Sequence, residues 1–342
     1  MPSHHTPSGR FDNPWATRPP PGHTNLLRLA LAHRRTRPKP VDPDPSVFER
    51  ATPDFPSPRA EIGKLVLTWV GHSTFLVQIG GLNVLTDPMW SERASPLRFV
   101  GPKRWVPPGI PLEHLPPIDI VLLSHDHYDH LDSWSVRQIV KRHPEARWLA
   151  PLRLGRFLRR HGADAVTEMD WWEELTTHDT RFACVPAQHH SARGLRDRRR
   201  SLWCGWVMTC DAHRVYFAGD TAYFQGFTEI GARYGPFDAA LMPIGGYLPR
   251  EYMRYLHMTP EEAVNAFVKL NAPATDAGET ATDRATTPLM RQPVFVPMHW
   301  GTFKISDEAM DEPVALLERA WREHGASAAS LWLLMHGETR GM

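Results

Sequence analysis

The apolar positions of this chain fall into two periods. Residues 64–70 and Thr74–Ile79 read as two strands joined at Gly71-His72-Ser73, and Leu82–Thr86 follows as a third. Residues 118–123 form an unbroken run of apolar and β-branched side chains, which predicts a strand buried on both faces. Residues 135–142 and 152–160 carry helical patterning, with strands at 148–150 between them and 165–169 after them. Further strands are expected at 181–185, 202–209, 215–218 and Ala239–Pro243, and helices at about 223–233, 260–270 and 311–323. Residues 272–292, rich in Ala, Thr, Asp and Gly, predict a mobile loop, and 331–334 a closing strand. Strands alternate with helices in no fixed period, so one α/β domain is expected rather than a repeat array.

The first 60 residues break this pattern. They hold 13 of the 33 prolines, which remove backbone donors and fix φ, so 1–60 is expected to be an extended arm and 61–342 the folded domain. A short helix at about 24–34, capped by Thr24 and followed by basic residues, would suit a lipid surface; the alternative is an arm packed on its own domain. A formal charge of +1 argues against a broad nucleic-acid-binding surface. Three cysteines without CxxC spacing exclude a disulfide framework and a cysteine zinc site, and fit a reducing compartment. No segment reaches the roughly 20 apolar residues of a membrane span. A cytoplasmic protein is expected, with peripheral contact at the inner face of the membrane left open.

Nineteen histidines change the picture, because imidazole is the commonest metal ligand. His125, His127, Asp129 and His130 fall within six residues directly after the buried strand at 118–123. Extended or turning backbone puts His125 and His127 on one side, and the turn into the next helix aims Asp129 and His130 at a nearby point. Such a segment serves two ions more easily than one tetrahedral site. More ligands are needed, and three strand ends offer them: His189 after 181–185, Asp220 after Gly219, and His299 after Met298. Strand C-termini are where α/β sheets gather ligands. Singly, each of these is an ordinary turn or structural residue; their value lies in occurring together.

The blocks around these residues are specific enough to resemble a known family. HxHxDH with separate His, Asp and His is similar to the metallo-β-lactamase fold. Asn13-Pro14-Trp15, Trp69-Val70-Gly71-His72-Ser73-Thr74, Leu85-Thr86-Asp87-Pro88, Arg93-Ala94-Ser95-Pro96, Gly101-Pro102-Lys103-Arg104, Phe217-Ala218-Gly219-Asp220-Thr221 and His299-Trp300-Gly301-Thr302-Phe303 resemble the N-acyl-phosphatidylethanolamine-hydrolysing phospholipase D family. That resemblance implies an αββα sandwich of two mixed sheets flanked by helices. It implies one zinc on His125, His127 and His189, another on Asp129, His130 and His299, and Asp220 bridging them. From ligand type alone iron or manganese would also suit.

Two divalent ions, two carboxylates and a bridging hydroxide leave the site at about +1, matched to a phosphodiester. The expected reaction is attack of that hydroxide on phosphorus, releasing an N-acylethanolamine and phosphatidic acid; a lactonase or other small-molecule hydrolase would share every ligand. The leaving alkoxide needs a proton, for which Asp220, a metal-held water or His257 through water are candidates. The resemblance places a substrate-side histidine at His257; a structural histidine is the alternative. His72 is expected beside the site, supporting a ligand or structural but not itself ligating. His190, Asp126 and Tyr128 are expected to be structural or to face away, and Asp87 to fix the free nitrogen of a ligating histidine or to be a turn residue before Pro88. Trp171, Trp172, Trp203, Trp206 and Trp300 are core residues or the lining of an apolar lipid channel, and 196–200 a basic hairpin tip or an attractor of anionic head groups. The expected partners are a phospholipid or other phosphodiester, a membrane surface met by the arm, and a second copy of the chain, with no nucleic acid. Leu256, where a polar residue is expected, and His190, where an aromatic is expected, depart from the family pattern.

Overall fold

Period-two alternation decides the architecture. Within one strand, Leu67 and Trp69 face one core while Val70 faces another; in the next, Phe75, Val77 and Ile79 face the first core and Leu76 the second. Ile120 and Leu122 against Val121 and Leu123 repeat the division. A sheet apolar on both faces must be covered twice. The computed structural model describes residues 3–15, 40–194, 196–272 and 292–342. The expected helix at 24–34 and nearly all of the expected loop at 272–292 lie outside these residues.

Among the described residues the elements run β1 (Val66–Gly71), β2 (Thr74–Ile79), β3 (Leu82–Thr86), β4 (Ile120–Leu122), α1 (Ser133–Arg142), β5 (Arg147–Pro151), α2 (Gly155–Arg160), β6 (Val166–Met169), β7 (Glu174–Thr177), β8 (Thr180–Val185), β9 (Gly205–Thr209) and β10 (Arg214–Phe217). They continue with α3 (Gly226–Tyr234), β11 (Ala239–Pro243), α4 (Arg250–Met253), α5 (Pro260–Asn271), β12 (Val294–Met298), α6 (Glu312–Glu323) and β13 (Thr339–Gly341). A seven-stranded sheet has the order β13-β1-β2-β3-β4-β5-β6, and a six-stranded sheet β12-β11-β10-β9-β8-β7. Both are mixed. In the first, β1–β3 are antiparallel and β3–β6 parallel; in the second, β10–β12 are parallel and β7–β10 antiparallel.

The larger core unites the inward face of the first sheet with Phe182, Trp206, Phe217 and Phe295 of the second and with α3, α5 and α6. Val136 and Ile139 of α1 and Leu158 of α2 close the opposite face of the first sheet. The tryptophans are part of this framework: Trp171, Trp203 and Trp206 are buried, and Trp172 and Trp300 pack against the core.

Two helix starts are sharply defined. Asp132 accepts from the Trp134 and Ser135 amides at the head of α1. Thr259 and Glu262 form a capping box at the head of α5, with Pro260 in its first turn. The expected closing strand at 331–334 is corrected. Leu331 makes only an isolated parallel bridge to Phe295, and the last strand is β13, whose Thr339, Arg340 and Gly341 pair with Thr68, Leu67 and Val66.

The described parts of 1–60 lie against the domain. His4 Nε2 and His5 Nε2 each donate to one oxygen of Asp170 at 2.7 Å, and the His4 ring stacks on Trp171. Phe11 is 1% exposed. Asp12 pairs with Arg199 at 2.8 Å, and Arg10 donates to the Arg198 carbonyl. These contacts occupy part of the 196–200 basic run.

Candidate metal centre

Every strand that reaches the site delivers its residue just beyond its C-terminal end. His72 lies in the β1–β2 turn, Asp87 follows β3, His125 to Asp132 follow β4, His189 follows β8, Asp220 follows β10 and His299 follows β12. Three of these turns are conformationally costly. His72, Asp87 and His299 have φ of 55°, 30° and 61°, a region side chains with a Cβ avoid. Gly219, at φ 58°, cannot be replaced without conflict: a Cβ there would sit 2.5 Å from the Cβ of Ser124 and 2.9 Å from the Cys204 carbonyl oxygen. Strain gathered at one edge marks where backbone geometry is set by something other than local preference.

The side chains converge as two groups. His125, His127, His189 and Asp220 bring ligand atoms within 4.8 Å of one another, and so do His72, Asp129, His130 and His299. In the first group His125 Nε2 is 2.9 Å and His189 Nε2 3.2 Å from His127 Nδ1. Asp220 Oδ2 joins the two. It lies 3.8 Å from His125 Nε2 and from His189 Nε2, 3.1 Å from His130 Nε2 and 3.2 Å from His299 Nε2. Asp129 Oδ2 stands 3.4 Å from His130 Nε2 and 3.6 Å from His299 Nε2. His257 Nδ1 approaches Asp220 Oδ2 at 4.0 Å. All seven residues expected to hold metal, and His257, are thus brought together.

A surrounding layer fixes which nitrogen of each ring points inward. Ser124 donates to Asp87 through N–H at 2.7 Å and Oγ–H at 2.5 Å, which leaves its Oγ to accept from His125 Nδ1–H at 2.8 Å. His130 Nδ1–H donates to the same Asp87 at 2.7 Å. His189 Nδ1–H donates to the Leu256 carbonyl at 2.9 Å. Each of these rings therefore turns its Nε2 to the centre, as a metal ligand must. On His130 burial opposes charge, but Asp220 and Asp129 outweigh it and raise its pKa well above the ordinary value, so an ion there would replace a proton. The backbone, not the side chain, of Leu256 does this, so a leucine there leaves the orientation of His189 intact. Asp126 faces away, accepting from Ala192 N–H and Ser201 Oγ–H, and Tyr128 donates to the Arg193 carbonyl. His190 is buried beside His127 with their ring centroids 4.9 Å apart.

The donor set fits cations. His130 Nε2, His299 Nε2 and Asp220 Oδ1 are buried and make no hydrogen bond, a costly condition unless an ion satisfies them. Charge agrees. Burial, reinforced by His130 and its other neighbours, holds His125 well below the ordinary range; burial likewise lowers His127 to about 4 and His189 to about 3. These three imidazoles are neutral and ready to coordinate. Burial opposes charge on His299 too, but Asp220 and Asp129 outweigh it and raise its pKa to about 9. Asp129 and Asp220 are held well below the carboxylate range by the imidazoles around them, against the effect of burial. Two buried anions facing a ring of imidazole donors are what divalent ions complete.

Asp87 takes the role expected of it and holds two rings rather than one, while the parts played by His72 and Glu308 were not specified in advance. His72 Nε2–H donates to Asp129 Oδ2 at 2.9 Å and so orients that carboxylate. Asp87 grips both His130 and, through Ser124, His125, one ring from each group. Glu308, 5% exposed, accepts from Gly246 N–H at 2.5 Å and Leu248 N–H at 3.1 Å, and holds the 246–248 backbone against His257. The position of Asp87 directly after a strand gave a signal; nothing around Glu308 did.

Fold and site define a metal-dependent hydrolase of the metallo-β-lactamase fold. The family model described as "Beta-lactamase superfamily domain" matches residues 82–275. The chain belongs to this superfamily and, within it, to the family of N-acyl-phosphatidylethanolamine-hydrolysing phospholipase D-like proteins. It is 38% identical over 315 residues to N-acyl-phosphatidylethanolamine-hydrolyzing phospholipase D 1 of Caenorhabditis elegans, covering 86% of this chain and 81% of that one. It is 40% identical over 309 residues to an uncharacterized protein of Mycobacterium tuberculosis, covering 90% of this chain and 76% of that one. Among solved structures, a metallo hydrolase from the archaeon Ignicoccus hospitalis superposes with a TM-score of 0.57 at 25% identity, over 82% of this chain and 98% of that one.

Proposed function

We propose that this protein is a phospholipase D-type phosphodiesterase that carries two zinc ions and cleaves N-acyl-phosphatidylethanolamine to an N-acylethanolamine and phosphatidic acid. The observation that carries this reading is the pair of His/Asp groups joined at Asp220 Oδ2. The similarity to the nematode enzyme named for that substrate supports it. On this reading His125, His127 and His189 hold one ion, Asp129, His130 and His299 the other, and Asp220 lies between. When bound, such a pair supplies a nucleophilic hydroxide near neutral pH and neutralises the non-bridging oxygens of an anionic phosphodiester.

The chain's own residues do the rest. Asp87, Ser124 and the Leu256 carbonyl keep three imidazoles in the coordinating tautomer, and His72 fixes Asp129. Hydrolysis places OH on phosphorus and H on the departing alkoxide. His257 Nδ1, buried, without a hydrogen-bond partner and facing Asp220, is the atom we assign to hold that proton. Burial pushes its pKa well below the ordinary value although Asp220 pulls the other way, so the ring rests neutral, and the proton it passes to the alkoxide is one it takes up from water during turnover. The substrate would be met at a bilayer, by peripheral contact from the cytoplasmic side, and a homodimer belongs to the same proposal. No helix of the described residues is long and apolar enough to cross a membrane.

Mass spectrometry of products, after zinc-loaded protein meets a panel of phospholipids and lactones, tests the reading. N-acylethanolamine and phosphatidic acid are expected, and both should vanish in His127→Ala with its metal content. Lactone hydrolysis without action on the phospholipid would replace this reading with a lactonase.

A further inference from the structure

Between β3 and β4, the two strands that end in Asp87 and His125, the chain runs out into a hairpin. Arg93 and Lys103 form an antiparallel bridge, the Arg104 amide donates to the Glu92 carbonyl at 2.7 Å, and the Ala94 amide donates to the Pro102 carbonyl at 3.0 Å. The tip carries Leu97, Phe99 and Val100, which are 49%, 76% and 53% exposed. Among the described residues this is the one place where three exposed large apolar side chains fall within four positions. Scattered single apolar residues need no explanation, but a contiguous apolar tip on a protruding loop does.

The charge beside it is also one-sided. Arg93, Arg98, Lys103 and Arg104 against Glu92 leave the hairpin at about +3, with the apolar side chains at its apex. The base is wired to the site. The Trp105 amide donates to the Thr302 carbonyl at 2.7 Å, and Arg104 pairs with Phe303 and lies over its ring. That ring stands edge-on to His72, 5.3 Å between centroids, and His72 holds Asp129.

We propose that the 92–104 hairpin is a docking element for an anionic phospholipid surface, with Leu97, Phe99 and Val100 entering the headgroup–acyl boundary and Arg93, Arg98 and Lys103 meeting lipid phosphates. This rests on the lipid reading of the site and adds the partner surface to it. Apolar side chains ringed by cations match such a surface on both counts: apolar area drives insertion, and each cation adds about fivefold in affinity near an anionic leaflet. Docking here would turn the edge that carries the metal-binding residues toward the bilayer, without any part for residues 16–39.

The test is sedimentation of the full-length chain with vesicles of phosphatidylcholine and phosphatidylglycerol that contain no N-acyl-phosphatidylethanolamine, so binding is read apart from turnover. The double variant Leu97→Ser/Phe99→Ser should lower the vesicle partition coefficient at least tenfold. Arg98→Gln should lower it about fivefold at low salt and little at high salt. Both changes are at exposed positions, so the urea midpoint should match that of the unaltered chain and certify folding. Equal partitioning of the folded double variant and the unaltered chain would overturn the proposal. So would a double variant that becomes monomeric while still binding vesicles, since the tip would then be a contact between copies. A chain that binds vesicles through this tip yet never cleaves phospholipid would leave the docking element standing and remove the phospholipase reading alone.

Discussion

Asp220 is the residue on which the two halves of the site depend. Its Oδ2 lies within 4.0 Å of nitrogens on five histidines, drawn from both ligand groups and from His257. On the two-ion reading proposed above, replacing it with asparagine keeps the shape but removes the charge that would balance both ions at once. His189→Ala, by contrast, takes one neutral donor from one group. Asp220→Asn should therefore lose both ions and lower kcat/KM by more than about 100-fold, beyond the 10–100-fold typical of residues that merely orient a ligand. His189→Ala should retain about one ion. Elemental analysis per folded chain, beside the kinetics, separates the two; similar retention in both variants would contradict a shared carboxylate. Asp87 shows how a single buried carboxylate can act on both groups without touching an ion. Its burial raises its pKa, but the donors from His130 and Ser124 favour its charged form.

At the level of elements, the strand ends matter more than the strands. The turn after β10 needs glycine at 219, where φ is positive and Ser124 and the Cys204 carbonyl occupy the space a Cβ would need. Gly219→Ala should thus push Asp220 or the Ser124–Asp87 pair out of place. An unfavourable φ together with the clash predicts a loss of about 1–3 kcal/mol in urea unfolding, and a fall in bound metal that an exposed glycine such as Gly9 would not show. The same local logic explains what could be read in advance. Nearly all strands around the site were legible because a sheet apolar on both faces leaves a dense signal, and the HxHxDH cluster because few turns hold so many ligands. The 331–334 run was misread for a physical reason. Leu331, Trp332, Leu333 and Leu334 look like a strand, but a 3-10 turn at Ala328–Ser330 precedes them and only Leu331 bridges Phe295. The true closing strand, Thr339-Arg340-Gly341, carries no apolar signal; it forms because the edge of β1 has donors and acceptors to pair. Glu174–Thr177 was missed likewise, as a polar edge strand that pairs only with β8.

Across the whole molecule, segments far apart in sequence are tied beside the metal-binding edge, and one knot should make the fold sensitive to acid. His336 is 1% exposed, stacks on Trp69 at 4.2 Å between centroids, and meets Thr302 Oγ1 through Nε2 at 2.9 Å, while its carbonyl accepts from the Ala51 amide. Burial first, then Arg104, Arg50 and His72, depress its pKa to about 3 from 6.5. The sign follows from proton counts. Above pH 6.5 the ring is neutral in both folded and unfolded chains and contributes no pH dependence. Between 6.5 and about 3 the unfolded chain takes up a proton that the folded chain refuses, so stability falls by about 1.4 kcal/mol for each pH unit. From pH 7 to pH 5 this one group should account for about 2 kcal/mol. His336→Gln keeps a donor for Thr302 without a titrating ring. It should be somewhat less stable at pH 7, where the stacking on Trp69 is lost, yet surrender about 2 kcal/mol less than the unaltered chain on acidification. Other buried histidines titrate alike in both proteins and cancel in that difference. Paired urea unfolding curves at pH 7 and pH 5 measure it directly, and identical losses in the two proteins would mean that His336 is free to charge in the folded state and that the knot opens before the domain does.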